Sequence, residues 1–246
     1  MIITSLDNKK IKKYHSLKTN KGRKIEKLFL IEGMHLCEEA YKANILVDIL
    51  IEENTKLSFN YDKEITFVTE HILNKLSNLT NHSKIIGICK IIDNNKIKGN
   101  RILLLDDIAD PGNLGTIIRS SKAFSIDTII LSKNSVDIYN DKVLRSTEGM
   151  LFTMNIIYAD LFQVIKELKK DHYLILGTDV KSGIDARSIK TDKYALIMGN
   201  EGHGVNKELL KLTDKNLYIK MDKNCESLNV AVATSILLYE LRGNHE

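Results

Sequence analysis

The sequence predicts an α/β protein in which a mostly parallel sheet, with helices on both faces, follows a smaller α/β domain. Two observations predict this fold class. Short apolar runs typical of buried strands alternate with helix-like stretches along most of the chain. Such alternation is typical of βα units, which assemble into parallel sheets. The 246 residues also suffice for one large domain or two modest ones.

The first part of the chain shows a small α/β pattern. Strands are predicted at "LFLIEG", "LVDILIEE", "ITFVTE" and "KIIGICKII", and helices at "MHLCEEAYKAN" and "HILNKLSNL". The polar stretch "DNNKIKGN" that follows is typical of a linker. We therefore place a small α/β domain at 1–95, a linker at 96–100 and a larger domain at 101–246.

The larger domain has the clearer strand–helix alternation. Strands are predicted at "RILLLDD", "DTIILS", "FTMNIIYA", "YLILGTD", "YALIMGN" and "LYIKM". Because ligands of parallel α/β sheets bind at the carboxyl ends of the strands, functional residues are expected in the loops after them. The helices are expected at 113–124, 139–149, 161–170, 205–211 and 228–242.

Composition narrows the class of protein. The chain is 43% hydrophobic and 28% charged, as in soluble globular proteins, and no apolar run approaches the roughly 20 residues of a membrane span. The first residues contain no apolar stretch like that of a secretory signal. Cys37, Cys89 and Cys225 are far apart, which favours neither a disulfide framework nor a metal site. We therefore expect a cytoplasmic protein without membrane or metal partners.

The first 27 residues are strongly basic, with Asp7 and Glu26 as their only acids. Such a segment can neutralise phosphates and bind nucleic acid in a salt-sensitive way. It can equally be the solvated face of a lysine-rich helix, and charge alone does not decide between the two. The candidate RNA-binding residues are Lys9, Lys10, Lys12, Lys13, Lys21, Arg23 and Lys24.

The stretch "DDIADPGNLGTIIRSS" contains the single proline of the chain, Pro111. Proline followed by glycine predicts a turn directly after a strand. Asn113 is then expected to cap the next helix, and Arg119 follows six residues later. Taken alone, Arg119 also fits a surface arginine whose aliphatic stem is buried.

The stretch "GNEGHGVNKELL" places a glycine-rich loop between a predicted strand and a helix. It lacks the Lys-Ser/Thr of a Walker loop and the spacing of a dinucleotide fingerprint. Glu201 would also repel a polyphosphate, so a cationic or neutral ligand fits this loop better. His203 is interpreted as a loop residue without a catalytic role.

The C-terminal stretch "LYIKMDKNCESLNVAVATSILLYELRG" predicts a strand, a polar loop and a long helix capped by Ser227 or Asn229. By itself it also fits a buried terminal helix with a polar cap. Other catalytic motifs, such as G-x-S-x-G and H-E-x-x-H, are absent from the sequence. The pair Asp106 and Asp107 ends a strand without further ligands and is interpreted as structural.

Together, three stretches in this order resemble the SpoU (TrmH-like) branch of the SPOUT RNA methyltransferases: "DPGNLGTIIRSSKAF", "ALIMGNEGHGVNKELL" and "ESLNVAVATSILLYE". The resemblance covers about 101–246, and the first domain resembles the ribosomal-protein-like substrate-binding domain that often precedes this catalytic domain. It implies a SPOUT-type sheet with a C-terminal deep trefoil knot, a homodimer, and methyl transfer from S-adenosylmethionine to a ribose 2′-hydroxyl of RNA.

The resemblance also assigns residues. Arg119 matches an arginine that the family is proposed to use for activating the hydroxyl. A guanidinium keeps its proton, so we expect it to position a phosphate or stabilise developing alkoxide, with Glu201 orienting Arg119 or a polar neighbour. The glycines are expected to leave room for adenosine. The implied catalytic residues are Asn113, Arg119, Glu201, Ser227 and Asn229; the implied cofactor-binding residues are Thr178, Gly199, Asn200, Gly202, Ile219, Met221 and Leu228.

Three features depart from the family pattern: Lys220 replaces a usual proline, a usual glycine just after it is replaced in "MDKNCES", and Glu148 replaces a small or apolar residue. None removes an implied catalytic group. We therefore expect a ribose 2′-O-methyltransferase acting on ribosomal RNA of the 23S type, with transfer RNA as the second target. A non-catalytic RNA-binding factor in ribosome assembly is the alternative, and binding of S-adenosylmethionine distinguishes the two.

Overall fold

The computed structural model describes residues 2–79, 83–179 and 183–242. The chain forms two compact units, one of residues 1–93 with 151–153 and one of residues 94–150 with 154–246. Within the described residues, no helix has the length and apolar character that crossing a membrane requires.

The first unit is built on a mixed five-stranded sheet in the order β1-β4-β3-β5-β2. β1, β4 and β3 run parallel, whereas β5 is antiparallel to both β3 and β2. Helices cover the sheet on both faces. The elements are β1 (Ile2–Ile3), α1 (Lys9–Ser16), α2 (Asn20–Glu26), β2 (Leu28–Glu32), α3 (Met34–Lys42), β3 (Leu46–Glu52), β4 (Thr66–Val68), α4 (Glu70–Leu76) and β5 (Ile85–Lys90).

The core of the first unit follows from the periodicity of its elements. α1 buries Ile11 and Tyr14, which pack with residues of α4 against the sheet residues Leu50 and Ile86. On the other face, the thiol of Cys37 on α3 lies so close to Gly87 that a side chain at this glycine would collide with it. Burial raises the pKa of the Cys37 thiol to about 12, so it stays neutral as a small apolar core residue.

The second unit is built on a six-stranded parallel sheet in the order β11-β9-β10-β6-β7-β8. Its strands are nearly continuous apolar runs because helices cover both faces. The elements are β6 (Arg101–Leu105), α5 (Pro111–Ala123), β7 (Thr128–Leu131), α6 (Asp141–Ser146), β8 (Asn155–Tyr158), α7 (Leu161–Lys170), β9 (Leu174–Thr178), β10 (Tyr194–Met198), α8 (Lys207–Leu210), β11 (Lys215–Leu217) and α9 (Val230–Leu241).

This strand order determines where a ligand can bind. From β6 the chain moves outward to β7 and β8 and then returns to β9 and β10, so that β10 lies beside β6. The loops after β6 and β10 therefore lie side by side at the carboxyl edge of the sheet, where Asn200 donates its amide N–H to the carbonyl of Asp107. Beneath this edge, Leu104, Ile130 and Ile197 pack with α7 in a fully buried core.

The predicted α/β class with a parallel sheet is confirmed, but some local expectations were wrong. The segment "LYIKM" was expected to be one strand, whereas pairing with β9 ends at Leu217. The next residues leave the sheet, and Ile219 and Met221 line a cavity instead. The N-terminal basic segment forms α1 and α2. Among its many lysines, Ile11 and Tyr14 form a buried apolar stripe on α1.

Candidate functional site

A cavity of about 600 Å³ lies at the carboxyl ends of β9, β10 and β11. Its volume is within the range of small-molecule sites, which span roughly 300 to 1,000 Å³. The wall combines backbone of the strand ends with apolar side chains such as Leu217, Leu228 and Leu237. All seven residues predicted to bind the cofactor contribute to it: Thr178, Gly199, Asn200, Gly202, Ile219, Met221 and Leu228.

The loop after β10 forms one wall by folding back on itself. The backbone N–H and carbonyl of Asn200 pair with those of Gly204, at N···O distances of 3.0 and 3.1 Å. This closure brings Val205 N to 2.1 Å from the place where a Cβ on Gly199 would lie. Gly199 is therefore required by the loop's own backbone, a reason that the sequence did not predict. At Gly202 a Cβ would meet its nearest neighbour at 3.4 Å, an ordinary contact.

The start of α5 lies beside the loop after β10, and here the predicted cap was wrong. Asp110 caps the helix, because its Oδ1 accepts the backbone N–H of Asn113 at 2.8 Å. Pro111 takes the first helical position, where the missing N–H costs nothing. An aspartate directly before a proline at the start of a helix is the signal that identifies Asp110 from sequence. Asn113, one turn into the helix, is thereby released for side-chain contacts.

A chain of side-chain hydrogen bonds connects the three motif stretches. Asn229 donates its amide N–H to Asn113 Oδ1 at 2.9 Å, and Asn113 donates its own to Glu201 Oε1 at 2.9 Å. Glu201 also accepts the backbone N–H groups of Ala109 and Asp110 at 3.4 and 3.3 Å. Residues 88 and 116 positions apart in sequence thus meet at one edge of the cavity.

These contacts determine the ionisation of Glu201. Partial burial acts to raise the pKa of its carboxyl group, but the hydrogen bonds from Asn113 and from the backbone outweigh it, and the pKa is lowered. Glu201 is therefore ionised at neutral pH and already accepts several hydrogen bonds. This arrangement suits a group that fixes geometry better than one that takes up a proton.

Asp106 and Asp107, which follow β6, form hydrogen bonds that hold the loop after β10 in place. Asp106 is buried, and its Oδ2 accepts the backbone N–H of Asn206 at 2.8 Å, where α8 begins. Burial raises the pKa of the Asp106 carboxyl. The carbonyl of Asp107, a residue with a left-handed φ of 53°, accepts the amide N–H of Asn200 at 2.7 Å. Among the described residues, no group of three or more His, Cys, Asp or Glu side chains could hold a metal ion.

The third motif stretch completes the site at the start of α9. Asn229 is the helix cap, as one of the two predicted candidates, and its Oδ1 accepts the backbone N–H groups of Ala231 and Val232. Ser227 lines the cavity with an exposed side chain. The same cap that begins α9 therefore also fixes the orientation of the Asn229 amide toward Asn113.

Arg119 stands apart from this hydrogen-bonded chain. Its side chain is exposed on α5, it does not line the cavity, and it forms no ion pair within the described part of the chain. Glu201 was expected to orient Arg119 or a polar neighbour, and the structure shows the polar neighbour, Asn113. The cavity also includes residues that the sequence did not single out, among them Asp179, Val230 and Ala233. In the sequence, only their positions next to strand ends and to the α9 cap could have identified them.

In the first unit, four of the seven predicted RNA-binding cations already bind other groups of the protein. Lys10 binds Asp48 at 2.8 Å, Lys12 binds Asp7 at 2.8 Å and Lys13 binds Glu26 at 3.0 Å. The guanidinium of Arg23 donates to the carbonyl of Leu17 at the end of α1. Lys9, Lys21 and Lys24 are exposed or nearly so and take part in none of the ion pairs formed by the described residues.

Comparison with known families gives two matches along the chain. Residues 100–239 match the SpoU rRNA Methylase family, and residues 8–87 match the MRM3-like substrate binding domain. The first match spans more than half of the chain and includes all three motif stretches up to Tyr239.

Individual proteins resemble the chain over nearly its full length. A 23S rRNA (guanosine(2553)-2′-O)-methyltransferase, RlmP of Bacillus subtilis, is 36% identical over 98% of this chain and 99% of its own. An AdoMet-bound rRNA methyltransferase from Sinorhizobium meliloti is 26% identical, with a TM-score of 0.83 over 98% of this chain and 97% of that one. An RNA 2′-O ribose methyltransferase structure is 27% identical, with a TM-score of 0.81 over 98% of both chains.

Proposed function

Since the chain belongs to the SpoU rRNA Methylase family, we propose that it transfers a methyl group from S-adenosylmethionine to a ribose 2′-hydroxyl of ribosomal RNA. The observation that carries this proposal is the hydrogen-bonded chain of Asn229, Asn113 and Glu201 at the edge of the cavity. A protein that only bound RNA would have no need to join three separate stretches at a pocket of this size.

The cavity suits S-adenosylmethionine in size and in charge. Backbone at Gly199 and the strand ends can receive the polar edges of an adenosine, and Ile219, Met221 and Leu228 offer apolar surface to the ring. The ligand's sulfonium is positive, and the wall carries the carboxylates of Asp179 and Glu201, which attract it. When bound, S-adenosylmethionine supplies an electrophilic methyl group.

Glu201, Asn113 and Asn229 act in this proposal as positioning residues. They hold the loop after β10 against the first turn of α5 and the cap of α9, and so fix the walls between which the ribose must enter. A reaction that needs close alignment of donor and acceptor is sensitive to such fixing, because small misplacements cost about 100-fold in rate. Ser227, exposed at the cavity, is assigned to hold the ribose.

Arg119 is assigned to the RNA phosphate next to the reacting ribose. Its exposure leaves the guanidinium available for a bidentate contact with a phosphate. Because a guanidinium keeps its proton, Arg119 would lower the pKa of the nearby 2′-hydroxyl by its charge instead of accepting the proton itself.

The test compares Arg119→Ala with Lys122→Ala, an exposed cation on the same helix. We expect Arg119→Ala to abolish methyl transfer to ribosomal RNA while calorimetry still shows S-adenosylmethionine binding. Lys122→Ala should keep its activity. Full activity in Arg119→Ala would remove Arg119 from the site, and absence of cofactor binding in the wild type would refute the methyltransferase proposal.

We assign substrate binding to the small α/β domain at 1–95, with 96–100 as linker and 101–246 as catalytic domain. The match to a substrate binding domain and the basic segment of α1 and α2 support this division. The named activity of the Bacillus subtilis relative favours 23S ribosomal RNA over transfer RNA. Methylation of transfer RNA but not of ribosomal RNA by the purified protein would reverse this preference. Such an enzyme acts in the cytoplasm.

We also propose that the protein is a homodimer through α9. Val232, Ile236 and Tyr239 recur at intervals of four and three residues, and each is at least 37% exposed. An apolar stripe of this kind on an otherwise polar surface is typical of an interface. Light scattering should give a dimer for the wild type and a monomer for Ile236→Lys, whereas Phe162→Lys, an exposed apolar residue on α7, should stay dimeric.

The proposed trefoil knot is supported by the surroundings of β11. On one side, Leu217 pairs with Thr178 of β9. On the other side, Ile184, from the connection between β9 and β10, forms backbone hydrogen bonds with Asn216 and Tyr218. We propose that the chain after β11 passes through the connection between β9 and β10. A crystal structure in which residues 218–229 run outside that connection would contradict the knot.

A further inference from the structure

The contacts of the basic segment divide its cations into three sets: those in ion pairs, those bound to helix ends and those that remain exposed. Asp7, Glu26 and the nearly buried Asp48 each neutralise one lysine, namely Lys12, Lys13 and Lys10 in that order. Lys10 also donates to Thr66 Oγ1 at 2.7 Å, so its ammonium group is tied to the sheet. These three lysines therefore contribute little positive potential to the surface.

Two further cations hold helix ends. Lys18 donates to the carbonyls of Lys75 and Ser77 at 3.3 and 2.7 Å, at the end of α4. Arg23 donates to the carbonyls of Leu17 and Lys18, which follow α1. Cations near the carboxyl ends of helices are stabilising, because the last carbonyls there lack partners. Lys18 and Arg23 thus serve the fold.

Of the three predicted RNA-binding lysines that remain, Lys9 lies on α1, whereas Lys21 and Lys24 lie together on α2. Lys21 and Lys24 are exposed and enter none of the ion pairs that the described residues form. Ile25 is 67% exposed, more than any other large apolar side chain described. Residues three and four apart are neighbours on a helix surface, so Lys21, Lys24 and Ile25 share one patch. Glu26, the only acid on α2, is neutralised by Lys13.

α2 holds this patch in a fixed position. Thr19 caps the helix by accepting the backbone N–H of Gly22 at 3.0 Å, and Lys27 ends it in a left-handed conformation. Gly22 packs so closely on α1 that a Cβ would lie 2.0 Å from the carbonyl oxygen of Ser16. The isoleucine is therefore exposed on a braced helix and not on a loose segment.

We propose that the patch of Lys21, Lys24 and Ile25 is the RNA contact of the first unit, and that it recognises an unpaired nucleotide. The two ammonium groups bind consecutive phosphates, and Ile25 packs on the face of an unstacked base. Paired bases in an A-form helix do not expose their faces, so an exposed apolar side chain between cations favours a loop or bulge over a duplex. This inference rests on the proposed function and names the substrate feature that the first unit reads.

The test measures binding of the full-length protein to two RNA probes over a series of salt concentrations. One probe is a 23S rRNA transcript segment with a single-stranded loop, and the other is a perfect duplex of the same composition. Lys21→Gln combined with Lys24→Gln should weaken binding to both probes and lower the slope of log affinity against log salt by about 1.4. Ile25→Thr should leave the slope unchanged and weaken binding only to the loop, by roughly 4-fold, the effect of exposing one buried methylene-sized group.

Two matched controls accompany these variants. Lys12→Gln removes an exposed but ion-paired lysine, and Val47→Thr makes the same kind of change as Ile25→Thr at another exposed apolar residue of the unit. Both should bind RNA like the wild type. Thermal unfolding and S-adenosylmethionine binding should be the same in all variants, which separates this inference from the methyltransferase proposal.

Two results would overturn the inference: a salt slope unaffected by the double lysine change, or equal effects of Ile25→Thr and Val47→Thr on loop binding. Neither result bears on the cofactor, whose binding is measured separately. Conversely, if the wild type did not bind S-adenosylmethionine, the methyltransferase proposal would be refuted, but the RNA-binding measurements would still test this inference.

Discussion

The cavity edge of the second unit and the basic segment of the first unit are both built from polar residues, yet they differ in how those residues are used. At the cavity edge, Asn113, Glu201 and Asn229 bind one another and leave a prearranged site. In the basic segment, Lys10 binds Asp48 of β3 and Lys13 binds Glu26 of α2, so both ammonium groups are already paired within the unit.

The difference reflects the geometric requirements of amides and carboxylates on the one hand and of lysines on the other. Amides and carboxylates that must meet at fixed hydrogen-bond geometry occur in stretches with strict spacing, so a sequence motif identifies them. A lysine has a long, flexible side chain and no directional requirement, so its role depends on which acid the fold brings near it. A count of charges along the chain therefore overstates the surface available to a nucleic acid.

The strongest test of this comparison removes the central amide of the cavity edge. Asn113→Ala leaves Glu201 and Asn229 without the residue that joins them. We expect kcat to fall about 100-fold because the walls of the site lose their alignment. Steady-state methyl transfer measures the effect, with Thr116→Ala, an exposed residue of the same helix, as the control. A fall no larger than that of Thr116→Ala would mean that the hydrogen-bonded chain has no part in the reaction.

The two glycines of the loop after β10 provide the next test. Gly199→Ala forces a Cβ against Val205 N, whereas Gly202→Ala meets only Asn200 Oδ1 at an ordinary distance. We expect Gly199→Ala to lower the free energy of unfolding by about 1–3 kcal/mol and Gly202→Ala to leave it unchanged. Urea unfolding with and without S-adenosylmethionine separates the two roles. If Gly202→Ala unfolds normally but binds the cofactor poorly, adenosine passes close to that residue.

In the basic segment, the ion pairs predict that substitutions of two adjacent lysines differ in their effect on thermal stability. Lys10→Met removes the partner of Asp48 and should cost about 1 kcal/mol, since this half-exposed pair is partly screened by solvent. Lys9→Met changes an exposed lysine and should leave the unfolding midpoint where it is. Thermal unfolding distinguishes them, and identical midpoints would show that the Lys10–Asp48 pair does not stabilise the unit.

The smallest expected effect concerns pH. Because the folded-state pKa of Glu201 is lowered, its ionised form contributes stability above the unfolded-state value of about 4.3, and the contribution is lost as the pH falls through the folded value. The difference in melting temperature between the wild type and Glu201→Gln should thus be constant near neutral pH and shrink only in acid. A difference that already shrinks between pH 7 and 5 would contradict the lowered pKa.

The sequence predicted the class of fold and most of the cavity wall, because buried parallel strands and glycine-rich loops have strong local patterns. It did not predict that Asp110 would cap α5, that Asn113 would thereby be free to bind Glu201, or that Arg119 would lie outside the cavity lining. Each of these depends on a contact between residues that are distant in sequence or on a competition between neighbouring caps. The ion pairs of Lys10 and Lys13 were hidden for the same reason.

The most direct test of the central claim is mass spectrometry of nucleosides from a 23S rRNA transcript incubated with the purified protein and S-adenosylmethionine. We predict one added 2′-O-methylated nucleoside, which is absent when the target nucleotide carries a 2′-deoxyribose and forms about 100-fold more slowly when Asn113→Ala replaces the wild type. A methyl group found on a base, or a transcript left unmodified by a protein that binds both RNA and cofactor, would contradict the account.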